Sequence, residues 1–498
     1  MREIRTLDSV SPSGAARWLR WLFLWLLTGF ILWVGATHTL ELNDDSFITL
    51  AYVKSLAAGG GWRYNGGAET LGSTTPLFAL IVAGLARLMP MIEIPRLAVG
   101  VDVAAWLGVV WLLALGHRTF RVSAWGGLVG AAALALPISG WQAALGMETP
   151  LLAAALLFST WLAARGKAVA AGLLAGLLPL IRPEGAAMIP LLALWLAATS
   201  GQRRWQRLAR YSGAVALPLA LWTLYALPRF GNVLPNSALA KLGQGQGWPG
   251  LNFGERLIEQ WLPTVALLFG SGPWLSLLWP LALVGLLALV WRRSALLLLV
   301  AWAAIFTAVY TLLGAPGYWW YGIPVLVTLQ LLAAVAVEAL AEQRRTVVRA
   351  AQAALAVALV AAFALFSVRA IRAEGGDPRA APYRAVATWM TENTSADRTL
   401  AHVEIGYLGF YSENPIVDLA GLTDPRLLAN ASRLDMAANF WLTEPDYFLY
   451  HPSFGWLVDS IVTDPRFANH YQPVADFPWT SEPEMRLYEK RFAGSEAE

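Results

Sequence analysis

The chain has 498 residues, 57% hydrophobic and 14% charged, with a mean hydropathy of +0.52; soluble domains carry nearer ~25% charge, so composition alone assigns a membrane protein. The absence of cysteine excludes disulfides, thiolate metal sites and a cysteine nucleophile, and the five histidines, at 38, 117, 402, 451 and 470, lack the i, i+4 pairing of a helix-borne metal site. The net charge of +3 divides unevenly, with 10 Lys/Arg against 19 Asp/Glu from Arg372 onward and 26 against 14 before it; a basic membrane part with an acidic tail argues for loops at a membrane surface and against nucleic-acid binding.

Residues 21–40, WLFLWLLTGFILWVGATHTL, carry no charge and at ~1.5 Å per residue are long enough to cross ~30 Å of hydrocarbon. Arg2, Arg5, Arg17 and Arg20 precede them and place the N-terminus in the cytoplasm. The first outer loop, 41–95, opens with ELNDDSFITL, where a helix starts at the aspartates and stops at the glycines 59–61. Segment 74–90 is short, starts at TTP and ends with Arg87 and Pro90. It reads as a re-entrant or interface-lying helix, because counting it as a span would invert every later loop.

Further apolar segments fall at 96–116, 122–140, 147–164, 168–181, 184–200, 211–228, 262–291, 294–313, 320–338 and 347–369. With the first span they predict 11 crossings. HRTFR (117–121), ARGK (164–167), QRRWQRLAR (202–210), RR (292–293) and EQRRTVVR (342–349) then all face the cytoplasm. The fold class expected is a polytopic α-helical membrane domain, 1–371, followed by a soluble extracytoplasmic α/β domain, 372–498. In that tail RTLAHVEI, PIVDLA, DSIVTD and YQPVADF read as strands, PYRAVATWMTEN and PRLLANASRL as helices.

Several outer stretches carry candidate chemistry. Asp44 and Asp45 suit a helix cap. They equally suit a general base, since a helix N-terminus favours the ionised carboxylate that accepts a proton. Glu148, in GMETP, is either a first-turn acid or a second carboxylate converging on that pair. Arg182 and Glu184, in LIRPEGAAM, interrupt two apolar runs, as a local ion pair or as an arginine aimed at a phosphate. VLPNSALAKLGQGQG offers Asn236 and Lys241 beside glycines. GAPGYWWYGIP groups Tyr318, Trp319, Trp320 and Tyr321, an aromatic belt or a stacking surface for sugar or polyprenyl. Asp102, inside the second span, is a further candidate for the same cavity, and Glu338 reads as a residue of the cytoplasmic interface.

DDSFITLAYVKSLAAGGGWRYNGGAETLGSTTPLFAL, GMETPLLAAALL, IRPEGAAM and LPNSALAK, in this order, resemble the GT-C superfamily of glycosyltransferases. The nearest branch holds the mycobacterial terminal arabinofuranosyltransferase and relatives known as flagellar motor-control proteins. HVEIGYLGFYSENPIVDLAGLTDP (402–425) is similar to that branch's soluble domain, and Glu404 there joins the substrate-binding candidates. The resemblance implies an inverting transfer on the outer leaflet of the cell membrane, from a polyprenyl-phosphate sugar to a glycan or lipid acceptor. It puts the base on Asp44, with Asp45 beside it. LGSTTPLF lacks the usual Gly-Tyr-Thr, and GYWWYGIP stands where arabinosyltransferases tend to carry Arg-Phe, so arabinose is not implied as the donor sugar.

One base suffices in such a reaction. A glycosidase needs two carboxyl groups because its leaving group must be protonated, whereas a polyprenyl phosphate leaves as a stable anion. Arg182 and Lys241 are the candidates to meet that anion, and a divalent metal held by Asp44, Asp45 and Glu148 is the alternative. A flippase of lipid-linked sugars or a non-catalytic scaffold with a partner-binding outer domain are the rival classes.

Overall fold

The computed structural model describes residues 14–135, 144–261, 278–341, 376–479 and 484–491. The membrane part consists of helices α1 (Gly14–Thr37), α2 (Asp44–Ala57), α3 (Pro76–Leu88), α4 (Ile94–Leu115), α5 (Ala124–Ala135), α6 (Thr149–Ala164), α7 (Ala168–Ile181), α8 (Met188–Thr199), α9 (Arg204–Phe230), α10 (Asn236–Gly247), α11 (Leu278–Arg292), α12 (Leu297–Leu313) and α13 (Ile323–Ala341). Among the described residues, four helices are long and apolar enough to cross a bilayer, over Arg17–Thr37, Ile94–Leu115, Gly201–Phe230 and Trp319–Leu340. The remaining apolar helices, α3, α5 to α8, α11 and α12, are shorter. The expected span at 347–369, and residues 262–277 of another, lie outside the described residues.

Local chemistry explains where α2 starts and stops. Asn43 caps α2 by accepting from the Asp45 amide at 3.0 Å, and Gly59, at φ +83°, stops the helix two residues beyond Ala57. At the other end of the bundle the loops at 117–123 and 292–294 are tied together. Arg121 donates to the Arg292 carbonyl, and Arg292 pairs with the buried Glu338. Glu338 is thus an internal ion-pair partner of the arginine loops rather than a residue lying free at the interface.

The tail contains a five-stranded sheet in the order β2-β1-β3-β5-β4. Its elements are α14 (Ala380–Asn393), β1 (Leu400–His402), α15 (Gly406–Tyr411), β2 (Ile416–Asp418), α16 (Met436–Thr443), β3 (Tyr447–Tyr450), α17 (Gly455–Val462), α18 (Pro465–His470), β4 (Tyr471–Phe477) and β5 (Met485–Lys490). β1 runs parallel to β2 and β3, and β5 antiparallel to β3 and β4. DSIVTD is helix α17 rather than a strand: Leu457, Val458 and Ile461 are buried at helical spacing, and that periodicity outweighs the β-branched pair at 461–462. PRLLANASRL forms only a 3₁₀ turn and one short helical turn, Pro425–Leu427 and Leu428–Ala431.

The tail is seated on α2 through α15. Phe47 packs against the rings of Tyr407, Phe410 and Tyr411, with centroids 4.3, 5.3 and 5.5 Å away. Lys54 donates to the Phe410 carbonyl, and Asn65 to those of Gly409 and Ser412. Two glycines make this approach possible: a Cβ at Gly406 would stand 1.8 Å from the Asp44 carbonyl oxygen, and one at Gly409 1.8 Å from the Tyr64 hydroxyl. Gly409→Ala therefore forces Tyr64 or the whole of α15 to shift, an overpacking cost of ~1–3 kcal/mol. We expect faster amide exchange across 44–65 and 404–412 together, with α7 to α9 unchanged, measured by hydrogen–deuterium exchange.

Candidate active site

Two adjacent aspartates on α2 point to different places. Successive residues of a helix are turned by ~100°, so Asp44 and Asp45 share no face. The Asp44 carboxylate accepts from the backbone amides of Gly406 at 3.0 Å and Tyr407 at 2.8 Å, at the N-terminus of α15. Burial pushes its carboxyl up, to about 7, with Glu404 adding to the rise and Arg379 and the two amides opposing it. Glu404 is itself raised by burial, against the pull of Arg379. It binds Arg379 and accepts from the Tyr383 hydroxyl at 2.6 Å. Asp44 and Glu404 belong to the seam between tail and membrane part, and neither lines the pocket described next.

Asp45 faces a polar pocket of about 430 Å³, measured to its open mouth. Five segments enclose it. From α2 come Asp45, Ile48 and Thr49; from the loop before α3, Gly72 to Thr74; from the α6 entry, Met147 and Glu148; from the end of α7, Arg182; and from α10, Ser237 and Lys241. Trp320 and Tyr321 add an aromatic wall, and Leu422 of the tail adds a cover.

The charges are arranged as two clusters. Lys241 Nζ lies 2.7 Å from Asp45 Oδ2 and over the rings of Tyr318 and Trp320, at 5.5 and 5.7 Å. Burial works against the Lys241 charge, but Asp45 outweighs it and holds the ammonium above its ordinary range. Arg182 is gripped by Glu148 and Glu184 and lies 4.9 Å over the Tyr321 ring. Trp302 secures the Glu184 carbonyl at 3.0 Å. Together these are three carboxylates against two cations.

The other expected residues have definite places. Asn236 does not face the pocket: its amide donates to the tail carbonyls of Gly421 and Leu422, at 2.9 and 3.1 Å. Tyr318 donates to Gln244 at 2.9 Å, behind Lys241. Trp319 packs edge-on against Trp320. Asp102 is fully buried in α4 and accepts from the Gly146 amide at 2.8 Å, which secures the turn leading to Glu148. Of the three carboxylates expected to share a divalent metal, Asp45 and Glu148 line this pocket, each beside a cation, and Asp44 is turned to the tail. Among the described residues no group of three or more His, Cys, Asp or Glu is placed to hold one. Ser237, Thr49, Ser73 and Leu422 are pocket residues that motif reading passed over; the only signal for the first was its place beside Asn236 in PNSALAK.

Beside the polar pocket runs an apolar groove of about 740 Å³, between α4, α6, α12 and α13, with Trp106, Leu156, Leu299, Val327 and Leu331 on its walls. Their linings follow one another in sequence at the start of α6, where Glu148 lines the polar pocket and Thr149 the apolar one.

Comparison with known proteins follows this geometry. Residues 369–491 match a family model described as a domain of unknown function (DUF8728). No curated protein sequence matches the chain. Among solved structures it is similar to ArnT from Cupriavidus metallidurans. The apo form gives 18% identity over 96% of this chain and 98% of that one, with a TM-score of 0.61. The form bound to undecaprenyl phosphate gives 15%, 95%, 98% and 0.58. The oligosaccharyltransferase AglB from Archaeoglobus fulgidus, solved with an inhibitory peptide and a dolichol-phosphate, is 12% identical over 94% of this chain and 75% of its own, at 0.59. The mycobacterial arabinofuranosyltransferase AftD is 15% identical over 97% of this chain and 42% of its own, at 0.55. The chain therefore has the fold of these structures.

The Asp44 seam makes a prediction. Its folded pKa lies above the ~3.9 of an unfolded aspartate, so the folded chain keeps a proton that the unfolded chain sheds. Its contribution to stability is full below about pH 4 and is lost as pH rises through about 7. Melting temperatures in detergent should fall across that window, and Asp44→Asn should make the slope shallower, leaving the shares of the other buried acids, Glu404 and Asp418.

Proposed function

We propose that the chain is an inverting glycosyltransferase that moves a sugar from a polyprenyl-phosphate donor to a hydroxyl of a cell-envelope glycan or lipid. The observation that carries this reading is the Asp45–Lys241 pair, set beside the doubly gripped Arg182 in a pocket that opens next to an apolar groove. The groove suits the prenyl chain, and the two cations suit the phosphate between chain and sugar.

In this reading Asp45, not Asp44, is the base. The entering phosphate competes with Asp45 for Lys241, which frees the carboxylate to accept a proton. The acceptor hydroxyl attacks the anomeric carbon, the bond from that carbon to the phosphate oxygen breaks, and the polyprenyl phosphate departs with the bonding electrons. The acceptor's proton passes to Asp45, and the configuration at the anomeric carbon inverts. Arg182 and Lys241 meet the charge that grows on the leaving phosphate. No step requires a metal ion.

We assign the pocket to the outer face of the cell membrane, with the N-terminus in the cytoplasm. The arginines of the loops at 117–121, 201–210 and 292–293 support that orientation.

The test is complementation of a deletion strain in the native host, with surface glycans and polyprenyl-phosphate sugars profiled by mass spectrometry. At equal protein level Asp45→Asn should reduce transfer by ~10²–10⁴-fold, the contribution of a positioned base, and the lipid donor should accumulate. Asp44→Asn should retain most activity at a temperature where it is folded. If Asp45→Asn restores the wild-type glycan, the base assignment is wrong. Lys241→Ala should raise the KM for donor as well as lower kcat, because it removes a phosphate contact that exists before the reaction begins.

A further inference from the structure

The hydroxyl groups around the polar pocket are of two kinds. Thr49, Ser73 and Thr75 satisfy one another, with Ser73 Oγ 3.2 Å from Thr49 Oγ1 and 3.1 Å from Thr75 Oγ1. Ser237 is different. It lines the same pocket, is only 4% exposed, and its Oγ has no hydrogen-bond partner among the described residues. Native proteins seldom leave a buried hydroxyl unpaired, and one that faces a pocket is completed by what enters it.

Its helix is also fixed in place. Asn236 ties the start of α10 to the tail carbonyls of Gly421 and Leu422, and its own amide donates to the Leu71 carbonyl at 2.8 Å. Near the far end, a Cβ at Gly245 would come within 2.4 Å of the backbone of Gly314, Ala315 and Pro316, so the helix is seated directly on that turn. A helix held at both ends presents Ser237 and Lys241, four residues apart, on one face. The hydroxyl is preorganised, and its bond to a ligand costs little ordering.

We infer that Ser237 reads a hydroxyl of the transferred sugar. This rests on the proposed glycosyl transfer and deepens it: one helix contacts two parts of the donor, the sugar through Ser237 and the phosphate through Lys241. The neutral hydroxyl of Ser237 discriminates among sugars by presence or absence of one hydroxyl, while Lys241 accepts any of them.

The experiment uses purified full-length protein in nanodiscs and a synthetic panel of farnesyl phosphate and farnesyl-phosphate-linked pentoses and hexoses, each sugar with its monodeoxy analogues. Ser237→Ala should bind sugar-free farnesyl phosphate as wild type does, whereas Lys241→Ala should not. For the sugar that wild type transfers best, Ser237→Ala should lower kcat/KM about tenfold, the worth of one neutral hydrogen bond. Wild type should lose the same factor on one monodeoxy analogue, and Ser237→Ala should not distinguish that analogue from its parent. The inference is overturned if Ser237→Ala keeps the wild-type preference at every deoxy position, as a water-satisfied serine would, or if it weakens farnesyl phosphate and its glycosides equally. Failure of the underlying reading looks different: Asp45→Asn would then match wild type, or no member of the panel would be transferred.

Discussion

Two backbone amides on one carboxylate set the geometry of this protein. The N-terminus of α15 donates from Gly406 and Tyr407 to Asp44, and a helix N-terminus is a natural seat for a carboxyl group. Because Asp44 belongs to α2, this contact fixes the rotation of that helix about its axis. The next residue, Asp45, is thereby aimed away from the seam and into the pocket. The tail then completes the pocket directly, through Leu422, whose carbonyl is held by Asn236 at the start of α10. The tail is a wall of the site.

Burial divides the work between the two aspartates. Asp44 is enclosed beside a second buried acid, and its carboxyl is raised toward neutrality. It trades charge for a structural bond. Asp45 keeps a lysine within 2.7 Å, and an ion pair so enclosed is strong only while both partners are present. A ligand that carries its own negative charge can compete with Asp45 for Lys241. The Glu148–Arg182–Glu184 cluster has no such freedom, since two acids and an aromatic ring hold the guanidinium.

Much of this was legible from residue type and order. The apolar first span, the arginine-rich loops, the Arg182–Glu184 interruption and the α/β character of the tail all follow from composition and periodicity. The split of the aspartate pair is not, because helical geometry turns the two apart without saying which of them meets the pocket. Which of the two faces the pocket is decided by Gly406, 362 residues away in sequence, and local pattern carries no such information. Asn236 misled for a related reason. Its amide suits a sugar as well as two backbone carbonyls, and only the docked tail shows which it meets. DSIVTD shows the opposite error, where β-branched residues suggested a strand although the burial period was that of a helix.

The boundary between the two cavities falls between consecutive residues. Glu148 lines the polar pocket and Thr149 the apolar groove, at a helix start that Asp102 secures from within α4 through Gly146. In a bilayer such a boundary belongs where hydrocarbon gives way to water, because each side would be costly in the other's medium. A molecule that fits both sides must itself change from apolar to charged along its length. A prenyl phosphate does so at its terminal oxygen, and the cations nearest the boundary, Arg182 and Lys241, stand on the polar side of it. The proposed chemistry therefore needs no movement of the substrate across the interface. It needs only that the phosphate stay at the junction while the sugar bound to it reaches Asp45.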